Sequence, residues 1–240
     1  YNGEAMGIFA EKCVSKFGFT REEQDAFAVS SLERAQRAIK DGNFEDEIAP
    51  VTVKTRKGEV VCSIDEQPGK SVADKISQMR PAFIKDGTVT AANASSISDG
   101  AAALVLTRLS VAEKLGMKPL ATIHAHSTHS QEPEWFTTAP VGAINKLLAK
   151  VAWSKDDVDL FEINEAFACV TMAAMKELGL PHEKVNIHGG ACALGHPIGA
   201  SGARIIVTLL GALQTYGKRK GVAAICIGGG EATAMAVELI

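Results

Sequence analysis

The chain has no basic surplus: 25 Lys and Arg stand against 28 Asp and Glu, a formal charge of −3. Such a surface offers no positive field to a phosphate backbone, which argues against a nucleic-acid partner. It also lacks any apolar run approaching the roughly 20 residues of a membrane span. The opening YNGEAMGIFAEKC has the pattern of neither a signal peptide nor a transit peptide. Among the five cysteines, Cys13, Cys62, Cys169, Cys192 and Cys226, there is no CxxC pair. No Cys or His spacing suits zinc, so no metal centre is expected. Scattered thiols in odd number fit a reducing compartment, and the expected setting is cytoplasmic. Disordered bias is absent too: 46 % hydrophobic and 22 % charged residues over 240 positions are enough for a real core in one or two domains.

The first 90 residues read as helices and a hairpin. AMGIFAEKCVSKFG predicts an uncapped helix, and Thr20 with Glu23 three residues on forms a capping box for a helix that stops at Gly42. Loose alternation around Lys57-Gly58 predicts a hairpin, and KSVADKISQMRPAF a short helix closed before Pro81. A small-residue loop at TVTAANASSISDG precedes Ala101–Leu106, which reads as a buried strand or a helix leading into one. From Leu120, strands (ATIHAHS, VDLFEIN, VNIHGG) alternate with helices (TTAPVGAINKLLAKV, EAFACVTMAAMKELG, IGASGARIIVTLLGALQTYG), and two strands close the chain around GGGE. Alternation with apolar strands predicts a covered α/β sheet, made mixed by the closing hairpin.

Three positions could carry chemistry. Asn164, where a strand hands over to a helix, could fix a water or orient a substrate oxygen, or simply cap the helix. His196, in GACALGHPIGASGAR, stands among small residues that let a ligand approach closely. It could be a general base, or a histidine satisfied in a tight turn. Cys226 ends an apolar strand before three glycines; bare N–H groups beside a thiol suit an oxyanion hole, although a buried cysteine is usually a small hydrophobe. Strand character after the GGG excludes a dinucleotide loop. His124, His126 and His129 read as a solvated or packed strand, and Glu162 and Glu165 as carboxylates favoured by a helix N-terminus.

NEAFA, GHPIGASGAR and CIGGG in that order, with EEQDAFAVSS, MRPAF and NASSISDGAAALVL, resemble the thiolase family over essentially the whole chain, closest to its acetyl-CoA acetyltransferase branch. The resemblance implies a thiolase-type α/β fold, a mixed sheet covered by helices, with an inserted loop domain. It implies a loop domain over 1–90, a remnant of the N-terminal domain over 91–118 and a C-terminal domain over 119–240, the N-terminal half being largely absent. The implied chemistry is Claisen condensation of two acetyl-CoA to acetoacetyl-CoA, or the reverse thiolysis, with the coenzyme A thioester as substrate and no further cofactor. His196 would activate a nucleophilic cysteine and Cys226 would move the α-proton. Asn164 would hold a water at the enolate oxygen, and the Gly228 N–H would serve an oxyanion hole. Ser95, Ala91, Phe83, Ala166 and Phe167 match positions lining the pantetheine channel, with Met6 and Phe136 added to the substrate wall.

The nucleophilic cysteine of the family matches none of the five here; Cys192 is a spectator or a surrogate thiol. The chain departs from the family pattern at Glu231-Ala232 after the GGG, at Ala92, at Gly69-Lys70 and at Ala5. Glu231 would set a carboxylate near the enolate site. Expected partners are an acyl-CoA and either a second copy or a complementing N-terminal half covering the Ala101–Leu106 edge. A CoA-binding piece without turnover and a 3-ketoacyl-CoA thiolase of fatty-acid degradation are the alternatives.

Overall fold

The computed structural model describes residues 3–240. Helices α1 (Met6–Phe17) and α2 (Arg21–Lys40) come first. The Thr20–Glu23 box closes as predicted, each side chain taking the other residue's N–H, which removes two of the orphan donors at a helix start. Strands β1 (Val51–Thr55) and β2 (Gly58–Cys62) pair as an antiparallel hairpin exposed along its whole length. The short helix predicted from Lys70 onward is a 3-10 turn at Ala73–Gln78, preceded by the short helix α3 (Glu66–Lys70). After α4 (Leu109–Lys114) the chain builds the main sheet from β3 (Ala121–Ser130), β4 (Leu160–Ile163), β5 (Lys220–Ile227) and β6 (Glu231–Leu239). Its order is β3-β6-β5-β4, with β4 and β5 parallel and the other pairs antiparallel, the mixed sheet expected.

Helices cover both faces. On one, Ile144 and Leu147 of α5 (Ala139–Val151) pack on Phe161, Ile163, Val222 and Ala234, with α6 (Ala168–Leu178) alongside. On the other, Ile205, Leu209 and Leu213 of α8 (Ser201–Thr215) pack on Leu160, Ala223 and Val237. The period-2 alternation of β4 and β5 sends successive residues to opposite layers, and each buried Ile or Leu contributes about 1.5–3 kcal/mol. Because β4 and β5 run parallel, both end at the same edge, where Asn164 and Cys226 emerge. No helix among the described residues is long and apolar enough to cross a membrane.

Two predicted strands are not formed. Residues 101–108 have no regular structure, and Val105 and Leu106 are 88 % and 63 % exposed; no neighbouring strand takes their backbone groups among the described residues. VNIHGG makes one parallel bridge, Val185 to Phe161, and no ladder. Asn186, at φ 49°, takes over the pairing with its side chain. Its Oδ1 accepts from the Ile163 N–H at 2.8 Å, and its Nδ2 donates to the Ile163 carbonyl at 2.8 Å.

Behind β4, the wholly buried Glu162 and the half-buried Glu47 gather with Glu165 near Arg204 and Arg34. Burial pushes Glu162 up to about 8 and Glu47 up to about 7, against an ordinary 4.5. Burial also holds His182 and His188 down to about 4, against 6.5.

These features yield two expectations. Asn186→Ala strands the Ile163 N–H and C=O and should cost on the order of 3 kcal/mol in denaturant unfolding, while Asn186→Gly should recover about 1 kcal/mol of that by relieving the left-handed backbone. Equal midpoints for the two variants would contradict the account. Above pH 6.5 the folded chain keeps protons on Glu162 and Glu47 that the unfolded chain has released, so stability should fall from pH 6.5 to pH 8. Below pH 6.5 the unfolded chain protonates histidines that the fold keeps neutral, which opposes the acid slope and flattens the profile. Thermal midpoints that rise between pH 6.5 and 8, or an unchanged slope in Glu162→Gln, would contradict this assignment.

Candidate active site

Asn164 follows β4 directly, its N–H bound to the Ala224 carbonyl of β5 at 2.9 Å. Helix α6 begins only at Ala168 with Phe167 as its N-cap, so the helix-cap reading of Asn164 is wrong. The side chain instead turns to His196, with Nδ2 3.4 Å from Nε2. Its Oδ1 is buried without a partner, an acceptor left for something that donates. On the other side of the ring, Nδ1 lies 2.5 Å from Ser201 Oγ. Burial first, and Arg204 second, lower the basicity of His196, which keeps the imidazole neutral and able to take a proton near pH 7.

What brings these two loops together is Glu165. It is not in the first turn of α6, where the macrodipole reading put it, but lies 1 % exposed between its own loop, α2 and the stretch 186–192. Its carboxylate accepts from Ser31 Oγ of α2 at 2.7 Å, from Asn186 Nδ2 at 2.9 Å and from the Cys192 N–H of α7 (Ala191–Leu194) at 3.1 Å. Ser31 Oγ in turn accepts from the Gly190 N–H at 2.9 Å. A side chain on Gly190 would meet the carboxylate at 2.3 Å, and one on Gly189, at φ 79°, would meet the Ser31 carbonyl at 2.4 Å. The paired glycines therefore let the loop carrying His196 close on Glu165. Deleting the carboxylate removes an acceptor from three donors and costs on the order of 1–3 kcal/mol for each one left unpaired.

Cys226 is buried at the end of β5 among Phe9, Phe136 and Phe167. Burial pushes its thiol up to about 12, the reverse of the lowered value expected for a thiolate base, because no cation or ring nitrogen bonds to it among the described residues. Beyond it, the Gly228 and Gly229 N–H groups carry no hydrogen bond among the described residues. Met6 lies over this turn: a Cβ on Gly228 would meet its Cε at 3.1 Å. Glu231 folds back on it as well, its buried Oε2 unpartnered and 2.5 Å from where a Cβ of Gly229 would sit.

Most of the remaining substrate-wall residues gather beside this turn. Phe83 packs edge-on to Phe167 at 6.0 Å and against Gly7, next to Met6. Phe136, 1 % exposed, also contacts Phe167, as part of the core. Ser95 donates through both N–H and Oγ to the Ala166 carbonyl, at 3.1 and 2.9 Å. Ala91 lies apart from these, in a cavity of about 190 Å³ with Lys70, Lys75, Gln67, Met79 and Cys192 on its walls. Cys192 points its thiol at the Glu165 carbonyl, 3.9 Å away, and burial raises its pKa well above the ordinary thiol value. Cys13 and Cys169 are buried between α1 and α6, and Cys62 lies on the exposed hairpin. None of the five cysteines bonds to His196 among the described residues. A wider cleft of about 400 Å³ lies at the opposite end of the sheet, where Asp159, Glu238 and Lys218–Lys220 largely satisfy one another. The histidines of β3 form no cluster: His124 binds Glu238 and His129 binds Gln131.

Sequence reasoning passed over Ser31, Asn186 and Ser201, and read Glu165 only as a favourable charge at a helix start. The one available signal was their position: Glu165 and Ser201 stand inside the same motifs as Asn164 and His196.

Known proteins carry the same arrangement of sequence and fold. The family model described as "Thiolase, C-terminal domain" matches residues 117–239, and "Thiolase, N-terminal domain" matches residues 1–110. The acetyl-CoA acetyltransferase of Chromobacterium violaceum is 51 % identical over 240 residues, covering 99 % of this chain and 61 % of the relative. The crystal structure of the Bacillus anthracis acetyl-CoA acetyltransferase superposes with a TM-score of 0.96 at 47 % identity, over 99 % of this chain and 60 % of that one. Human mitochondrial 3-ketoacyl-CoA thiolase superposes at 0.90 with 36 % identity, over 98 % and 60 %. The chain thus spans about three fifths of the length of the relatives it matches. The expectation of a largely absent N-terminal half needs correction, since the sequence matched at the start of the chain is that of the N-terminal domain. With both of its domain models matched in order and the fold shared throughout, the chain belongs to the thiolase family.

Proposed function

We propose that these 240 residues carry part of the active site of an acetyl-CoA acetyltransferase, which joins two acetyl-CoA into acetoacetyl-CoA and CoA or runs thiolysis in reverse. The observation that carries the reading is the Asn164–His196 pair, with a neutral ring nitrogen and an unpartnered buried amide oxygen side by side. Enolate formation beside a thioester needs an acceptor for one proton and a held donor for the developing oxyanion. Cys226 would take that proton, a water on Asn164 Oδ1 would supply the donor, and the neutral His196 Nε2 would take the proton of the nucleophilic thiol in the acyl-transfer step. The free N–H groups at Gly228 and Gly229 would receive the oxyanion of the acyl-transfer step.

The nucleophilic thiol is proposed to come from outside these residues, from a complementing polypeptide or another part of a longer chain. The 190 Å³ cavity, with Lys70 and Lys75 at its rim and Ala91 on its wall, suits the phosphates and the pantetheine arm of CoA. Residues 1–90 are read as the loop unit, 91–118 as N-terminal domain and 119–240 as C-terminal domain. The exposed apolar stretch at Val105–Leu106 favours burial against such a partner or a second copy. Five unpaired cysteines favour a reducing, cytoplasmic setting.

The lack of a thiol at His196 favours a second reading for the isolated chain, that of a CoA binder without turnover. In an active assembly, Cys226→Ser should abolish condensation while sparing acylation, and His196→Ala should block both half-reactions. A Cys226→Ser variant that still condenses acetyl units, or a His196→Ala variant acylated at the normal rate, would overturn these roles.

A further inference from the structure

The backbone of His196 is pinned from the loop beside it. Its N–H donates to the Ser96 carbonyl at 3.0 Å, and Gly195, at φ 90°, lies so close to Ser98 that a Cβ would overlap its hydroxyl. The freedom that remains is rotation of the ring and the choice of the nitrogen that holds its proton. Both meet one group: Ser201 in the first turn of α8, wholly buried, with Oγ 2.5 Å from His196 Nδ1. The hydroxyl donates back to the Pro197 carbonyl at 3.0 Å, the i to i−4 bond common to helical serine. A hydroxyl that gives its one proton to that carbonyl meets Nδ1 as an acceptor.

We propose that Ser201 is the positioning residue of His196, fixing its ring plane and holding the ring proton on Nδ1 so that Nε2 faces Asn164 unprotonated. The proposal rests on the reading of His196 as the base of an acyl-transfer site. Bond polarity then runs one way through four groups: Asn164 Nδ2–H to His196 Nε2, His196 Nδ1–H to Ser201 Oγ, and Ser201 Oγ–H to the Pro197 carbonyl. At the open side Asn164 Oδ1 is an unpartnered acceptor, and the Nε2 lone pair becomes one once the long 3.4 Å contact from Asn164 Nδ2 is released, so the group this site admits is a proton donor, a thiol S–H or a water. When a cysteine thiol enters, its S–H bond breaks, the electron pair stays on sulfur, and the proton forms Nε2–H. The imidazolium that results keeps its Nδ1–H on Ser201 without moving.

The tautomer can be read without turnover. In chain labelled with ¹⁵N-histidine, long-range ¹H–¹⁵N spectra at pH 8, with the His196→Gln spectrum identifying the resonances, should show a protonated Nδ1 and an unprotonated Nε2. Ser201→Thr should keep that pattern. Ser201→Ala should lose it, giving the other tautomer or an exchange average, while His182 and His188 resonances stay in place. An Nε2–H tautomer in the unmodified chain, or an unchanged pattern in Ser201→Ala, overturns the proposal. Should the alanine variant not fold, the unmodified chain still decides, since an Nε2–H ring excludes the lock. Acylation assays of the assembled enzyme report separately on whether His196 is a base, so an inactive assembly with an Nδ1–H ring would sink the functional reading and leave the tautomer lock standing.

Discussion

The buried carboxylate of Glu165 is the constraint on which the rest of the site depends. Two stretches distant in sequence converge on it: Ser31 from α2, and the segment 186–192, through Asn186, the Cys192 N–H of α7 and, by way of Ser31, the Gly190 N–H. Each donor would be an unpaired buried polar group without it. The loop after β4 and the loop before α8 are thereby held in one arrangement, in which Asn164 Nδ2 and His196 Nε2 lie 3.4 Å apart. Glycine at 189 and 190 follows from the same closure, because any side chain there would occupy the space of the carboxylate or of the Ser31 carbonyl.

Around this clamp the electrostatics leave the site at rest. Partial burial and Arg204 hold His196 below the ordinary histidine value, and burial at the end of its strand in an aromatic and aliphatic pocket pushes the Cys226 thiol up to about 12. A base without a proton and a thiol with one are the starting materials for proton transfer, but nothing between them supplies an acceptor for an acyl group. Glu231, folded against the glycine turn with one oxygen unpaired, adds a cost that an arriving oxyanion would meet. On the proposed reading, this geometry is one half of a reaction centre.

Much of this was legible in the sequence, where local rules and tertiary demands agreed. The capping box at Thr20, the α5 stripe of Ile144 and Leu148, and the hairpin closing the mixed sheet are each written in spacing. Asn164, His196 and Cys226 were visible through their small or glycine neighbours. Other features were hidden because their partners lie far along the chain. VNIHGG has strand composition, yet the Asn186 side chain replaces the ladder and turns the backbone left-handed. Ala101–Leu106 has the apolar run of a strand, but a strand forms only where another offers hydrogen bonds. Glu165 reads as a favourable charge at a helix start until Ser31, 134 positions away, is found donating to it.

The central claim is that the Asn164–His196 pair serves a thiol these residues do not contain. Its most direct test is to incubate the native protein with acetyl-CoA labelled in the acetyl group, quench with acid and locate the label by peptide mass spectrometry. The account predicts a thioester on a cysteine outside these 240 residues, lost when His196 is replaced by alanine. A thioester on Cys192 or Cys226 would contradict it, because it would show that the pair activates a thiol already in this chain.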